Sequence, residues 1–203
     1  IINEPTAAAL AYGLEKETEL KQLEVMKAIN ENPNRKVDIA TTFLGAHAVP
    51  TEYKGKEDDY IDFLIKEMLP LIQEKKLAEH CDIFCEKGVF TVEQSRRLLQ
   101  AAKDKGFGVK IHADEIVSFG GAELAGELQA LSADHLLHAS DAGIQAMADN
   151  HVVATLLPLT AFTLREPYAR GREMIDRGCA VALATDLNPG SCCSGSIPLT
   201  FAL

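Results

Sequence analysis

The sequence predicts an α/β protein whose strands form one parallel sheet, part of a (β/α)8 barrel of TIM type. Three observations carry this. From residue 37 onward, short apolar, β-branched runs alternate with mixed polar and apolar helical stretches at the spacing of repeated βα units. A polar residue with chemical potential closes almost every apolar run, as at the mouth of a barrel where strand tips converge. A doubly wound open sheet is the alternative, but its usual glycine-rich phosphate turn is absent from the sequence. Only six βα units are legible, two short of a closed barrel, so a partial barrel is expected.

The elements follow in order. Residues 15–30 ("EKETELKQLEVMKAIN") carry Leu20, Leu23, Val25, Met26 and Ile29 at helical spacing. The first strand is expected over 37–46 ("VDIATTFLGA") and a helix over 58–77. The second strand is 81–86 ("CDIFCE"), after which "TVEQ" at 91–94 has the form of a capping box opening a helix over 92–105. Strands at 109–114 ("VKIHAD"), 130–135 ("ALSADH"), 152–158 ("VVATLLP") and 180–186 ("AVALATD") complete the set, with helices at 121–129, 140–149 and 166–178 between them. Right-handed crossovers force all six strands to run the same way, so their C-terminal tips share one edge. That edge receives His47, Glu86, His112, Glu115, His135 and Asp186.

Composition narrows the function classes. The 203 residues carry 30 acidic and 20 basic side chains, a net charge of −10. Such a surface repels phosphate backbones and anionic lipid, so neither nucleic acid nor membrane is an expected partner. There is no apolar run long enough to span a bilayer and no secretory leader pattern, and the expected location is the cytoplasm. The cysteines, at 81, 85, 179, 192 and 193, are odd in number and form no C-x-x-C motif, so they read as reduced thiols.

The candidate chemistry lies at the strand tips. "KIHADEI" (110–116) ends a strand in His112, a candidate zinc ligand, with Glu115 three residues on as a group that binds substrate or handles protons. "ATDLNPGS" (184–191) places Asp186 before a turn through Asn188, Pro189 and Gly190. Asp186 either caps that turn or binds metal and takes a proton from activated water, and Asn188 then offers its amide to substrate. His135 and His47 are candidates to stabilise charge on a carbonyl oxygen or to hold a substrate carboxylate. Metal-assisted hydrolysis fits these residues. A catalytic zinc, however, usually takes three protein ligands, and only His112 and Asp186 stand out.

Five segments, "FLGAHAVPTEYKG", "DIFCEKGVFTVEQSRRLL", "KIHADEIVSFGGAELA", "SADHL" and "ALATDLNPGS", closely resemble the imidazolonepropionase family of the amidohydrolase superfamily. The resemblance runs from about Tyr12 to near the end of the chain. It implies a distorted (β/α)8 barrel of amidohydrolase type, covered here over about strands three to eight, with the family's β-sandwich parts missing. It implies a hydrolase that opens the ring of 4-imidazolone-5-propanoate with water to give N-formimidoyl-L-glutamate in histidine breakdown. By the resemblance, His112 and Asp186 match metal ligands for one zinc or iron ion. Glu115, His135 and Asp186 match catalytic positions, while Tyr12, His47, Glu115 and Asn188 match substrate-binding ones. The family's other two metal ligands form a His-x-His pair on the first barrel strand, which this sequence lacks. A fragment inactive alone is therefore expected, with a small-molecule substrate and a homodimer left open.

Residues 1–14, "IINEPTAAALAYGL", instead resemble a signature of the Hsp70 nucleotide-binding domain. A join near Tyr12 is expected, with residues 1–11 foreign and 12–203 the partial barrel. Two other readings remain open from the sequence: another amidohydrolase such as a nucleobase deaminase, and an Hsp70 nucleotide-binding fragment.

Overall fold

A computed structural model describes residues 16–33 and 39–203. Tyr12, the Hsp70-like stretch and the first two residues of the expected first strand lie outside the described residues. The six strands are β1 (Thr42–Ala46), β2 (His80–Cys85), β3 (Gly108–Ala113), β4 (Ser132–His135), β5 (Val153–Leu156) and β6 (Val181–Leu183). They form one sheet in the order β1-β2-β3-β4-β5-β6, and every pairing is parallel. A doubly wound sheet reverses strand order at a switch point, whereas a barrel adds each strand beside the last. The sequential order therefore decides for the barrel arc and against the open alternative.

The helices are α1 (Lys16–Glu31), α2 (Glu57–Phe63), α3 (Leu69–Lys75), α4 (Val92–Asp104), α5 (Gly121–Glu127), α6 (Asp141–Asp149), α7 (Pro158–Leu164), α8 (Gly171–Asp176) and α9 (Ile197–Ala202). The stretch expected as one helix over 58–77 is interrupted by a π segment at Leu64–Met68. Pro70, just beyond it, cannot donate to the carbonyl four residues back, and the widened turn accommodates that lost bond. The capping box is present: Thr91 accepts from the Gln94 N–H at 3.2 Å, and Gln94 Oε1 accepts from the Thr91 N–H at 2.9 Å.

Several boundaries differ from expectation. The extended run at 152–158 is cut at Leu156 because Pro158 opens α7 at its first turn, where a missing N–H costs nothing. Helix α7 was not expected, nor was α9, while the helix expected over 166–178 shrinks to α8. Leu23 of α1 is buried, but Val25 and Ile29 face solvent.

Alternation divides the strands into two faces. Phe43, Cys81, Ile83, Ile111, Ala133 and Ala154 pack outward beneath the helices as the apolar core. Phe84, His112, Asp134 and Thr155 share the opposite, inner face across β2 to β5. The outer layer is tight: a Cβ built on Gly126 of α5 would lie 2.7 Å from the backbone C and O of Ala146 in α6.

Candidate active site

Inner-face positions and strand tips meet in one cavity of about 360 Å³, lined by His47, His112, Glu115, His135, Asp186 and Asn188, with Phe84 and Ser191 among the other walls. Six of the seven residues expected at the site thus share one space, and the seventh, Tyr12, lies outside the described residues. The His47 ring stacks on Phe84 at 5.3 Å between centroids and meets His112 edge-on at 5.4 Å. His112 and His135 stand 5.2 Å apart.

Backbone conformation steers three of the tips. In β4, alternation from Ala133 would turn His135 outward, but its φ of +72° redirects the ring, which stands beside His112. Asp114 and Asp186 both sit at φ +51°. Asp114 is fully buried and does structural work there: Oδ1 accepts the N–H groups of Phe119 (2.6 Å), Gly120 (3.0 Å) and Gly121 (3.3 Å), and Oδ2 that of Ala122 (2.8 Å). Because Gly120 offers no capping side chain, Asp114 caps α5 from the tip of β3 and holds the loop that starts with Glu115. Glu86, also fully buried, braces the same loop by accepting the Ile116 N–H at 2.8 Å and the Lys87 N–H at 2.8 Å.

On the opposite rim, the buried Thr160 hydroxyl donates to Asp186 Oδ2 at 2.5 Å. Asn188 lines the cavity while holding its own turn. Its Nδ2 donates to Asp186 O at 2.8 Å, and its Oδ1 accepts from Gly190 and Ser191 at 2.8 and 2.6 Å. The turn chemistry expected of "NPG" and the cavity position of Asn188 therefore coexist.

Burial sets the protonation of the site. It drives His47 down to about 4, with help from neighbouring His112 and against Asp82. Burial likewise holds His135 well below the ordinary histidine range, reinforced by His112 and His47. Glu115 is pushed up to about 7, chiefly by burial; His112 opposes this, while Asp186, Glu86 and Glu166 add to it. Its Oε1 lies 3.5 Å from His135 Nδ1. Neutral imidazoles can ligate metal, and a carboxyl that exchanges its proton near neutrality suits general acid–base work. Imidazole and carboxylate groups are donors that suit a divalent metal ion.

Asp82, Asp134 and Thr160 also stand at the site and are not among the residues expected from the sequence. Asp82, His112 and Asp134 bring one ligand atom each within 4.8 Å of one another, deep on the inner face of β2, β3 and β4. Strand period carried the signal for the two carboxylates, since both fall on the His112 face by alternation. For Thr160 there was no local signal, because α7 was not expected.

The sequential parallel sheet with polar tips around one mouth is a partial (β/α)8 barrel. Solved structures agree in fold: Arabidopsis ADAL complexed with IMP matches with TM-score 0.69 at 13% identity, covering 94% of this chain and 56% of that one. Guanine deaminase from C. acetobutylicum matches with TM-score 0.62 at 16% identity over 89% of this chain and 46% of its own. An adenosine deaminase from Xanthomonas campestris with bound zinc gives TM-score 0.59 at 16% identity over 81% and 39%. Sequence relatives are more specific. The chain is 81% identical over 192 residues to the imidazolonepropionase of Phocaeicola vulgatus and 76% identical to that of Bacteroides thetaiotaomicron, in each case over 95% of this chain and 46% of the relative. The imidazolonepropionase of Clostridium tetani is 62% identical over 95% of this chain and 45% of its own. The chain is thus similar to imidazolonepropionases along nearly its whole length, and it spans about half the length of the curated relatives it matches. The family model described as "Hsp70 protein" matches residues 1–28. Among the described residues no helix is long and apolar enough to cross a membrane.

Proposed function

We propose that this chain supplies part of the catalytic barrel of an imidazolonepropionase, a hydrolase that opens 4-imidazolone-5-propanoate with water to N-formimidoyl-L-glutamate in histidine breakdown. The observation that carries the proposal is 81% identity over 95% of the chain, with six expected site residues around one cavity. The division into residues 1–11 as a foreign Hsp70-like stretch and 12–203 as barrel belongs to the same proposal. A match to relatives over 192 of 203 residues is compatible with it. The protein is expected in the cytoplasm, and a homodimer is compatible with the reading.

His112 and Asp186 hold one divalent ion, zinc or iron. When bound, the ion supplies Lewis acidity and eases deprotonation of water at neutral pH. Glu115 handles the proton beside the reacting ring, a role suited to a carboxyl poised at about 7. His135, kept neutral by burial, orients Glu115 and offers a hydrogen bond to charge developing on the ring carbonyl. His47 and Asn188, with Tyr12, bind the substrate, and Phe84 backs the His47 ring.

Assays against imidazolonepropionate, guanine and adenosine, with zinc or iron supplied, test the proposal. With two of the usual three or more protein ligands, the 203-residue chain alone is expected to turn over weakly or not at all. Extending it upstream by a His-x-His strand restores ring opening, and Asp186→Ala in that extended protein abolishes it. Deamination of a nucleobase in place of ring opening would overturn the substrate assignment, and near-normal turnover by the Asp186→Ala variant would overturn the role of Asp186.

A further inference from the structure

The deep inner-face carboxylate Asp82 has no part in the chemistry so far, yet it is completely buried in the middle of β2. Its strand register explains where it points. Phe84 pairs with His112, so Asp82, two residues earlier on the same face, lies one layer below the histidine. Its Oδ2 is 3.0 Å from His112 Nδ1, and its Oδ1 accepts the Ile83 N–H at 2.6 Å. Oδ1 is therefore held by the strand's own backbone, while Oδ2 stands at ion-pair distance from the imidazole nitrogen without an aligned hydrogen bond. Around the other sides of the ring stand His47 at 5.4 Å, Phe84 at 5.9 Å and His135 at 5.2 Å, which leave it little room to turn over.

An ionised carboxylate only accepts hydrogen bonds, so the imidazole nitrogen facing it must carry a proton. A neutral imidazole has one proton to give, and the other nitrogen then carries the free lone pair. We propose that Asp82 is a positioning residue: it fixes His112 as the Nδ1–H tautomer and aims the bare Nε2 at the cavity, ready to ligate metal. The Lys110 ammonium acts on the same carboxylate, so the buried negative charge has a fixed counter-charge in the protein. Carboxylates behind ligating histidines commonly fix tautomer and raise donor strength, and their loss typically costs ten- to a hundred-fold in metal affinity. The tautomer is independent of any metal, whereas its consequence for affinity rests on reading His112 as a ligand.

The test uses the 203-residue chain, labelled with ¹⁵N, held metal-free above pH 7.5, and read by long-range proton–nitrogen correlation of the His112 ring. The parent is expected to show His112 protonated at Nδ1. Asp82→Leu, which keeps bulk and removes the acceptor, is expected to shift His112 to the Nε2–H form, while Asp82→Asn, whose amide oxygen can still accept, retains Nδ1–H. Cobalt and zinc titrations against a competing chelator then report affinity, expected to fall ten- to a hundred-fold in Asp82→Leu and less in Asp82→Asn. An Nε2–H tautomer in the parent overturns the proposal without any variant, even if neither variant folds. An unchanged tautomer in a folded Asp82→Leu chain overturns it as well. If the tautomer depends on Asp82 but the parent binds neither metal, the positioning role stands and the metal reading of His112 falls.

Discussion

Removing the carboxylate of Asp114 tests how the site loop is held. Oδ1 and Oδ2 together accept four backbone N–H groups at 2.6–3.3 Å, all from residues 119–122, in a position with no access to solvent. In Asp114→Ala the donors of Gly121 and Ala122 stay buried and those of Phe119 and Gly120 half-buried. Loss of the cap on α5 costs about 1–2 kcal/mol, each further buried orphan donor about 1 kcal/mol or more, and alanine at φ +51° roughly another 1 kcal/mol. Burial pushes the Asp114 carboxyl up, so the parent forgoes part of the gain from its four donors. A net loss of about 4 kcal/mol is expected, a large share of a typical domain's stability. Asp114→Asn separates the contributions. It tolerates the left-handed backbone and keeps an oxygen for the three Oδ1 bonds, but sets its NH2 against the Ala122 N–H, for a loss of about 1.5 kcal/mol. Urea unfolding followed by circular dichroism, with an unchanged m value, gives both numbers. A loss under 1 kcal/mol for the alanine variant, or equal losses for the two, would refute the capping argument.

Two further predictions follow from packing and burial. Gly126→Ala gains helix propensity of about 1 kcal/mol but drives a methyl against the Ala146 backbone, which cannot rotate away as a side chain would. It should lower stability by about 2 kcal/mol, and a raised urea midpoint would contradict the close approach of α5 and α6. Glu115 has a folded-state pKa of about 7, raised from 4.5, so its contribution to stability is present below pH 4.5 and lost as pH rises through 7. Lowering of His47 from 6.5 to about 4 acts in the opposite sense, present above 6.5 and lost as pH falls through 4, and cancels when Glu115→Gln is compared with the parent. The metal-free Glu115→Gln chain should gain on the parent from near zero at pH 4.5 to about 2–3 kcal/mol at pH 8. The groups facing Glu115, namely His112, His135, Asp186, Glu86 and Glu166, are the same in both chains. A difference flat with pH would remove the buried-carboxyl account.

Alternation and βα spacing were enough to place all six strands and the shared edge of polar tips, because both are properties of a few adjacent residues. The ends of elements were less legible. The sequence places Pro158 at the end of a strand, whereas it opens a helix, since the choice rests on what packs next to Leu156 and Ala161, not on the dipeptide itself. His47, His112 and Asp186 were visible as polar residues after apolar runs. Asp82 and Asp134 fall inside such runs, where a lone carboxylate looks like a break in the pattern until a neighbouring strand brings it a partner. The position of His135 at a strand tip is legible in the sequence, but the positive φ that turns it into the cavity is not.

Fold and chemistry rest on different residues of this chain. The ADAL, guanine deaminase and adenosine deaminase structures share this chain's fold at 13–16% identity, and a shared fold does not by itself carry a shared reaction. What a barrel holds in common is the geometry of its tips, and what distinguishes one reaction from another is the set of groups placed there and their protonation. In this chain that set contains two imidazoles that burial keeps neutral, a carboxyl poised at about 7, and Asp186 tied to a buried threonine hydroxyl. Beneath them runs a supporting layer of buried carboxylates, with Asp82 behind His112, Asp114 behind the loop of Glu115 and Glu86 bracing it from β2. Each of these three gives up hydration and meets it with backbone donors, an imidazole or a lysine. The apolar outer core would be satisfied by any small residues in their place, so their cost is explained by the groups they hold still.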